Sequence, residues 1–366
     1  MNNVHIVGAG PAGWAAACHL ARAGWTVDLH SAELHQPYNR VEVSKSLLAG
    51  TADIEDHSLG AIPDSVTLHM GDQVRFNGHS LVSQSTNSAL TSPVILATGA
   101  IPIPLSEFPN AFALRSAHDS TRIREALGDK ASRVEIIGAG VLGMEAASSI
   151  VDAGHRVRVH DLSLTIVPRM LSPHAGRWLQ GVHERRGVEF SLGTSPKITT
   201  DSVIITAIGI RPDTSLAEQL GLNIDDGVVI DDLGRTSKAG IYAAGDCSAR
   251  RMDNGDVRRD EDLASARASG IRSARGVLVD AGQGEELSPA EPSVSRRWST
   301  QAGLRIVASQ LSGASADGGS ELIVTATDQE YESVSVSNGI VTRAVAISAR
   351  PKPRGVLSMV GKRWND

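Results

Sequence analysis

Short apolar runs recur along the chain in matched pairs. Residues 4–7 read VHIV and residues 134–137 read VEII; each feeds directly into a G-x-G-x-x-G turn, VHIVGAGPAG at 4–13 and VEIIGAGVLG at 134–143. Each turn is followed by an Ala-rich segment with helical character, WAAACHLARAG or MEAASSIVDAG, then by a second short strand, TVDLH or RVRVH, and an acid. A further pair, VILATGAIP at 94–102 and VIITAIGIRP at 203–212, closes the two units. β-Branched runs alternating with longer helical segments predict βαβ units and parallel sheets. Two such units, offset by 130 residues, predict an α/β chain with two doubly wound, Rossmann-like domains.

The spacing of each motif carries a chemistry. The first glycine permits the tight strand-to-helix turn, the second lets a pyrophosphate approach the backbone, and the third lets the helix pack on the strand. The helix N-terminus then presents free amides and a partial positive charge. An acid about 20 residues on can accept hydrogen bonds from an adenosine ribose. Glu33 has that position in the first unit and Asp161 in the second. Asp161 disfavours a 2′-phosphate, so NADH is expected over NADPH, with Arg156 and Arg158 moderating the preference. One such motif alone is often a mere glycine turn; two, each in strand–helix–strand context, predict two bound dinucleotides.

Composition narrows the picture. The 366 residues include 36 Gly but only five Trp, three Tyr and four Phe, and the net charge is −6. Neither an aromatic stacking platform nor a basic footprint for nucleic acid is present. No apolar run reaches the roughly 20 residues of a membrane span. The start of the chain shows no secretory pattern, and Cys18 and Cys247 cannot build a disulfide framework. A reducing, cytoplasmic setting is the default expectation. The twelve histidines show no ligand spacing, so no metal is expected, and no G-x-S-x-G elbow appears.

The expected domains are a discontinuous first nucleotide domain (1–112 and about 237–285), a second inserted at 113–236, and a small α+β C-terminal domain at 294–366. Residues 281–293, AGQGEELSPAEPS, read as a linker. ELIVTAT, YESVSVS and IVTRAVAIS read as strands of the last domain. The final residues hold Arg350, Lys352, Arg354, Lys362 and Arg363 against Asp366. Such a patch either steers an acidic partner or is a solvated tail.

In order, these motifs resemble the pyridine-nucleotide flavoprotein reductases of the glutathione-reductase fold, and within them the branch of oxygenase-coupled NADH:ferredoxin reductases. The resemblance spans nearly the whole chain, with residues 50–92 poorly matched. It implies FAD on the first fingerprint (Gly8, Gly10, Pro11, Ala12, Gly13) and NADH on the second (Gly138, Gly140, Val141, Leu142, Gly143). PYNRVEVSKSLLAG at 37–50 is similar to the family stretch P-Y-x-R-P-P-L-S-K, with Val41-Glu42 in place of Pro-Pro. It implies Arg40 and Lys45 on FAD, Lys45 beside the isoalloxazine. LRSAHD at 114–119 implies Arg115 on the flavin side; Val74 and the A-T-G turn (Ala97, Thr98, Gly99) complete that part of the FAD site. GIYAAGDC at 240–247 resembles the motif in which Gly245 and Asp246 meet FAD, Asp246 on the ribityl hydroxyls. RDEDLASARASGIRSARG at 259–276 reads as a helix with acids in its first turn; the resemblance aims its N-terminus at the flavin pyrimidine edge, with a backbone amide contact at Leu263, where the family often has an aromatic residue or Val. RRWSTQAGLRI at 296–306 places Trp298 near the flavin, with Thr300 replacing the usual Asp. Glu145 matches the family acid that lies near the nicotinamide and pairs with the lysine.

The relatives that reduce disulfides carry C-x-x-x-x-C where this chain has Ser44-Lys45, and no cysteine occupies 40–48. A dithiol shuttle and a flavin-facing sulfenate both lack their residue. The expected function is therefore passage of electrons from NADH through FAD to an outside acceptor, which the resemblance implies is a [2Fe–2S] ferredoxin, or second a rubredoxin, feeding a P450 or Rieske oxygenase. Lys45 and Glu145 are the expected catalytic pair. Two alternatives stay open: a flavin reductase acting on a small molecule, and a nucleotide-binding signalling protein of the apoptosis-inducing-factor kind.

Overall fold

The computed structural model describes residues 2–90, 93–198, 201–252, 255–285, 294–311, 319–350 and 355–364. Part of the linker stretch (286–293) and Lys352, Arg354 and Asp366 of the basic tail lie outside them. The described residues fall into two compact units: 1–42, 53–101 and 210–289 form the first, and 43–52, 102–209 and 290–366 the second.

The first unit is built on a five-stranded sheet, in the order Ile241–Ala243, Val94–Leu96, Asn3–Val7, Thr26–Ser31 and Val66–Met70. All its neighbours are parallel. Ile6, Leu29 and Ile95 point to one face, where helices Pro11–Arg22 and Leu263–Asp280 bury Leu20 and Val277 against them. Ala12, Ala16, Ala17, Ala266 and Ala274 lie in the same core, so the alanine-rich stretches are what lets two helices pack on one sheet face. Val7, Val94, Leu96 and Ala243 point the other way, against Leu216, Leu222, Val228 and Ile230. Burial on both faces explains why the central strand Val94–Leu96 is continuously apolar. It also explains a difference from the sequence reading, which placed 210–236 in the inserted domain: these residues complete the apolar cover of the first sheet and belong to the first unit.

The second unit repeats the plan. Its parallel sheet runs Val188–Leu192, Arg156–Asp161, Arg133–Ile137, Val203–Thr206, Phe112–Ala113. Helix Ala117–Leu127 starts with a full capping box between Ser116 and Asp119. Helix Pro173–Arg185 starts with Ser172 as N-cap and Pro173 in the first position, both favoured there. Residues 43–52 join this unit: Ser120 Oγ donates to Val43 O at 2.7 Å and Ser149 Oγ to Ser44 O at 2.8 Å. So does the C-terminal segment, an antiparallel sheet in the order Val294–Gln301, Leu304–Leu311, Ile340–Ser348, Tyr331–Ser337, Ser320–Ala326. Its one described helical piece is the 3-10 turn Val356–Ser358. Ser148 Oγ accepts the amide of Ala302 at 2.8 Å, which ties this sheet to helix Val141–Asp152. No described helix is long and apolar enough to cross a membrane.

Candidate functional site

In the first fingerprint Gly8 has φ +111°, and a side chain there would place Cβ 2.2 Å from Ala97 O. A Cβ on Gly13 would fall 1.9 Å from Gly8 O. Both positions exclude any other residue, for the two reasons the spacing implied. At Gly10 the nearest atom to such a Cβ is Arg40 Nε, at 3.6 Å, so the middle of the turn is open. Helix Pro11–Arg22 begins there with no side-chain cap and no acid in its first turn. Its first amides are thus left for an external anion, and the helix dipole favours one.

The rest of the first-unit site gathers around this turn. Tyr38 OH donates to Glu33 Oε2 at 2.8 Å, and Arg40 forms an ion pair with the same carboxylate. The guanidinium also feels the charge of Asp246. Gly245 sits against Ala12, and its amide donates to Ser269 Oγ at 3.1 Å. Ala97 is buried, Thr98 Oγ1 donates to Asp213 O at 2.7 Å, and Gly99 turns the chain at φ +77°. Val74 is a core residue of hairpin Val74–Phe76/Leu81–Ser83, paired with Ser83. The helix expected to carry acids in its first turn begins at Leu263 with none there. Asp262 stands one residue earlier as N-cap, its Oδ1 accepting the Ser265 amide at 2.9 Å. A short carboxylate competes well for that amide from outside the helix, which sets the start later than the acid pattern implied.

The second fingerprint has the same build. Gly138 has φ +113°, with Ala207 O 2.4 Å from a would-be Cβ; Gly143 would meet Gly138 O at 2.0 Å, and Gly140 meets nothing within 4 Å. Val141 and Leu142 open helix Val141–Asp152, again with no side-chain cap and no first-turn acid. Asp161 braces the turn: Oδ2 accepts the Ala139 amide at 2.6 Å and Oδ1 the Ser163 amide at 2.7 Å. Arg158 is engaged with Glu189. Both fingerprints thus fit a dinucleotide on chain geometry alone.

A third feature lies within the second unit. Lys45 immediately precedes helix Ser46–Ala49. Its Nζ lies 3.1 Å from Glu145 Oε1, with side chains 16% and 6% exposed. The geometry is that of an ion pair; no acceptor among the described residues is aligned with the ammonium's hydrogens. The carboxylate also accepts from Ser44 Oγ at 2.7 Å and from Ser299 Oγ at 2.7 Å. The Lys45 ammonium stands 5.2 Å from the centre of the Trp298 ring, within cation–π range, and Arg305 contacts the same ring at 5.4 Å. Lys45, Glu145 and Trp298, picked from three separate segments, therefore converge. Ser44 and Ser299 were missed; each is the immediate neighbour of a residue that was named. Arg115 is half-buried in this unit, its amide donating to Asp119 Oδ2 at 3.0 Å.

The cysteines do not take part. Cys247 is fully buried and its Sγ reaches Ala244 O at 3.2 Å, Cys18 lies half-buried on helix Pro11–Arg22, and both are free. Burial pushes both thiols up, away from a reactive thiolate.

Two glycine cradles at the ends of two parallel sheets have the geometry to hold two dinucleotides. Residues 2–268 match the family described as pyridine nucleotide-disulphide oxidoreductase, and the chain belongs to that family. Among solved structures it is similar to putidaredoxin reductase in its covalent complex with putidaredoxin (24% identity, 94% of this chain and 89% of that one, TM-score 0.80). The ferredoxin reductase for the CYP199A2 system of Rhodopseudomonas palustris is also similar (22%, 95% and 91%, TM-score 0.83). So is the NADH:rubredoxin oxidoreductase of Clostridium acetobutylicum (19%, 100% and 96%, TM-score 0.78). At these identities the likeness speaks for a shared fold.

Proposed function

We propose that the chain is an FAD-dependent NADH:ferredoxin oxidoreductase that delivers electrons to a small iron–sulfur protein serving an oxygenase. One observation carries the reading: two glycine cradles that fit a dinucleotide occur in a chain whose two cysteines are both free, one half-buried and one buried. A member of a pyridine nucleotide-disulphide oxidoreductase family without a dithiol needs an acceptor outside itself. Three of the similar proteins are named for such acceptors: putidaredoxin, a ferredoxin and a rubredoxin. A [2Fe–2S] ferredoxin is the first choice and a rubredoxin the second.

FAD, when bound, supplies the step between a two-electron hydride donor and a one-electron acceptor. The chain's own residues bind and orient. The first turn of helix Pro11–Arg22 holds the FAD pyrophosphate, Glu33 the adenosine ribose, and Arg40 and Asp246 the remaining polar groups. The first turn of helix Val141–Asp152 holds the NADH pyrophosphate, with Asp161 at its ribose. Lys45, held by its ion pair with Glu145, offers its remaining N–H donors to a bound ring system. Trp298 shelters the ammonium from water. Val74, Thr98, Gly99 and Leu263 contribute to the FAD cradle.

The test is NADH-driven cytochrome c reduction by FAD-loaded protein, with and without added [2Fe–2S] ferredoxin. Strong dependence on the ferredoxin is expected. A rate indifferent to it, with direct transfer to oxygen or a quinone, would count for a small-molecule reductase instead.

A further inference from the structure

The Glu145 carboxylate is the end of a longer buried chain. Ser299 Oγ donates to Glu145 Oε1 at 2.7 Å, Gln301 Nε2 donates to Ser299 Oγ at 3.0 Å, and His183 Nε2 lies 2.9 Å from Gln301 Oε1. Ser299 and His183 are wholly buried and Gln301 is 2% exposed. An amide oxygen only accepts, so His183 donates through Nε2–H and its Nδ1 carries a lone pair. That Nδ1 is buried and has no hydrogen-bond partner among the described residues. A charged ring would bury a second N–H with nothing to receive it, which is costly. Burial accordingly draws the His183 pKa down to about 4, against the Gln301 hydrogen bond, with Arg186 and Asp152 acting in opposite senses.

Every link therefore runs one way, from His183 to the carboxylate. The direction matters. The other neutral tautomer would present a bare Nε2, and the Gln301 amide would turn its NH2 toward it. Gln301 Oε1 would then face Ser299 and compete for the one hydroxyl proton that Glu145 now receives. The tautomer of a histidine on helix Pro173–Arg185 thus decides, through strand Val294–Gln301, how a carboxylate on helix Val141–Asp152 is held.

We infer that His183 and Gln301 are positioning residues for the Lys45–Glu145 pair, aiming the Ser299 hydroxyl so that the carboxylate stays fixed against the ammonium. The hydrogen-bond chain stands on its own geometry; only its consequence for NADH oxidation rests on the function proposed above.

Three variants of the full-length protein test this: His183→Leu and Gln301→Leu remove a link, and His183→Gln keeps an N–H donor where Nε2 stood. The first readout is competitive acetylation of the lysines, followed by peptide mass spectrometry. A loosened pair frees the amine from its carboxylate partner, so Lys45 should label about tenfold faster in H183L and Q301L, equivalent to about 1.4 kcal/mol of lost pairing. The other lysines should keep their rates, and H183Q should stay near wild type. The second readout is the ¹⁵N imidazole spectrum, in which His183 should be the neutral Nε2–H tautomer. The third is single-turnover flavin reduction by NADH, expected to slow about tenfold in H183L and to recover in H183Q. Unchanged Lys45 labelling in H183L overturns the inference. So does an Nδ1–H or charged ring, or an H183Q that behaves like H183L, since lost volume alone would then explain the effect. If wild type fails to oxidise NADH, the proposed function falls, while labelling and tautomer still judge the chain of hydrogen bonds.

Discussion

Glu145 Oε1 stands 3.1 Å from Lys45 Nζ, and neither side chain is more than 16% exposed. Removing one partner of a buried pair leaves an uncompensated charge, which typically costs about 3 kcal/mol or more. Glu145→Gln should therefore lower the unfolding free energy by about that amount, because an amide keeps the shape and loses the charge. Lys45→Met combined with Glu145→Gln should recover much of it. Urea unfolding of the two variants checks the prediction, and equal losses in the single and double variants would refute it.

The fingerprint glycines make a sharper pair of variants. Gly13→Ala would put a methyl 1.9 Å from Gly8 O, and Gly143→Ala would put one 2.0 Å from Gly138 O. Neither obstacle is a flexible side chain, so the strand–helix turn itself must open, at a cost of about 1–3 kcal/mol each. Under the proposed assignment the consequences separate. Gly13→Ala should lose bound flavin during purification. Gly143→Ala should keep its flavin and raise the KM for NADH about tenfold or more. Flavin absorbance per protein and NADH titration distinguish them; flavin loss in Gly143→Ala alone would exchange the two sites.

Much of this arrangement was legible in the chain, for a local reason. A turn that admits only glycine at fixed positions writes its geometry into the sequence, so both cradles and both following helices could be read directly. Lys45, Glu145 and Trp298 were readable through the order of motifs. Their shared location depends on tertiary packing, which local patterns do not encode. Ser44 and Ser299 were illegible because a serine gains its meaning only from the carboxylate it meets. Residues 210–236 were misplaced because they follow the second unit's last core strand, while their apolar side chains fit the far face of the first sheet. Leu263 as a helix start was obscured by Asp260, Glu261 and Asp262, any of which reads as a first-turn acid.

Asp161 separates a structural role from a recognition role. Its two oxygens hold the amides of Ala139 and Ser163, so Asp161→Ala frees the glycine turn as well as removing the charge. Asp161→Asn keeps one acceptor oxygen and also removes the charge. If charge repulsion excludes a 2′-phosphate, both variants should lose discrimination against NADPH, by about tenfold in kcat/KM, or about 1.4 kcal/mol. The alanine variant alone should also lose about 1–2 kcal/mol of stability with its two charge-assisted bonds. An unchanged NADH/NADPH ratio in both would remove Asp161 from the ribose site.

Asp72 sets an acid limit on the first unit. It is 1% exposed; its carboxylate accepts from Ser83 Oγ at 2.8 Å and the Ser85 amide at 2.8 Å, and His30 Nδ1 lies 2.7 Å away. Burial pushes the carboxyl up, but the Ser85 amide and the His30 and Ser83 side chains outweigh it and bring the pKa to about 2 from 3.8. The folded value lies below the unfolded one, so the unfolded chain binds the proton more readily. The contribution is complete above the unfolded pKa and is lost as pH falls through the folded one. Its size is about 2 kcal/mol. His183, drawn from 6.5 to about 4, adds a loss of the same sign at higher pH, between its two values. Wild type should thus lose stability between about pH 6.5 and 4, and again between about 4 and 2. Asp72→Asn should be less stable at neutral pH by about 2 kcal/mol and should show a shallower lower step. Chemical unfolding followed across that pH range checks both limbs, and an Asp72→Asn profile parallel to wild type below pH 4 would show that the carboxylate carries no such linkage.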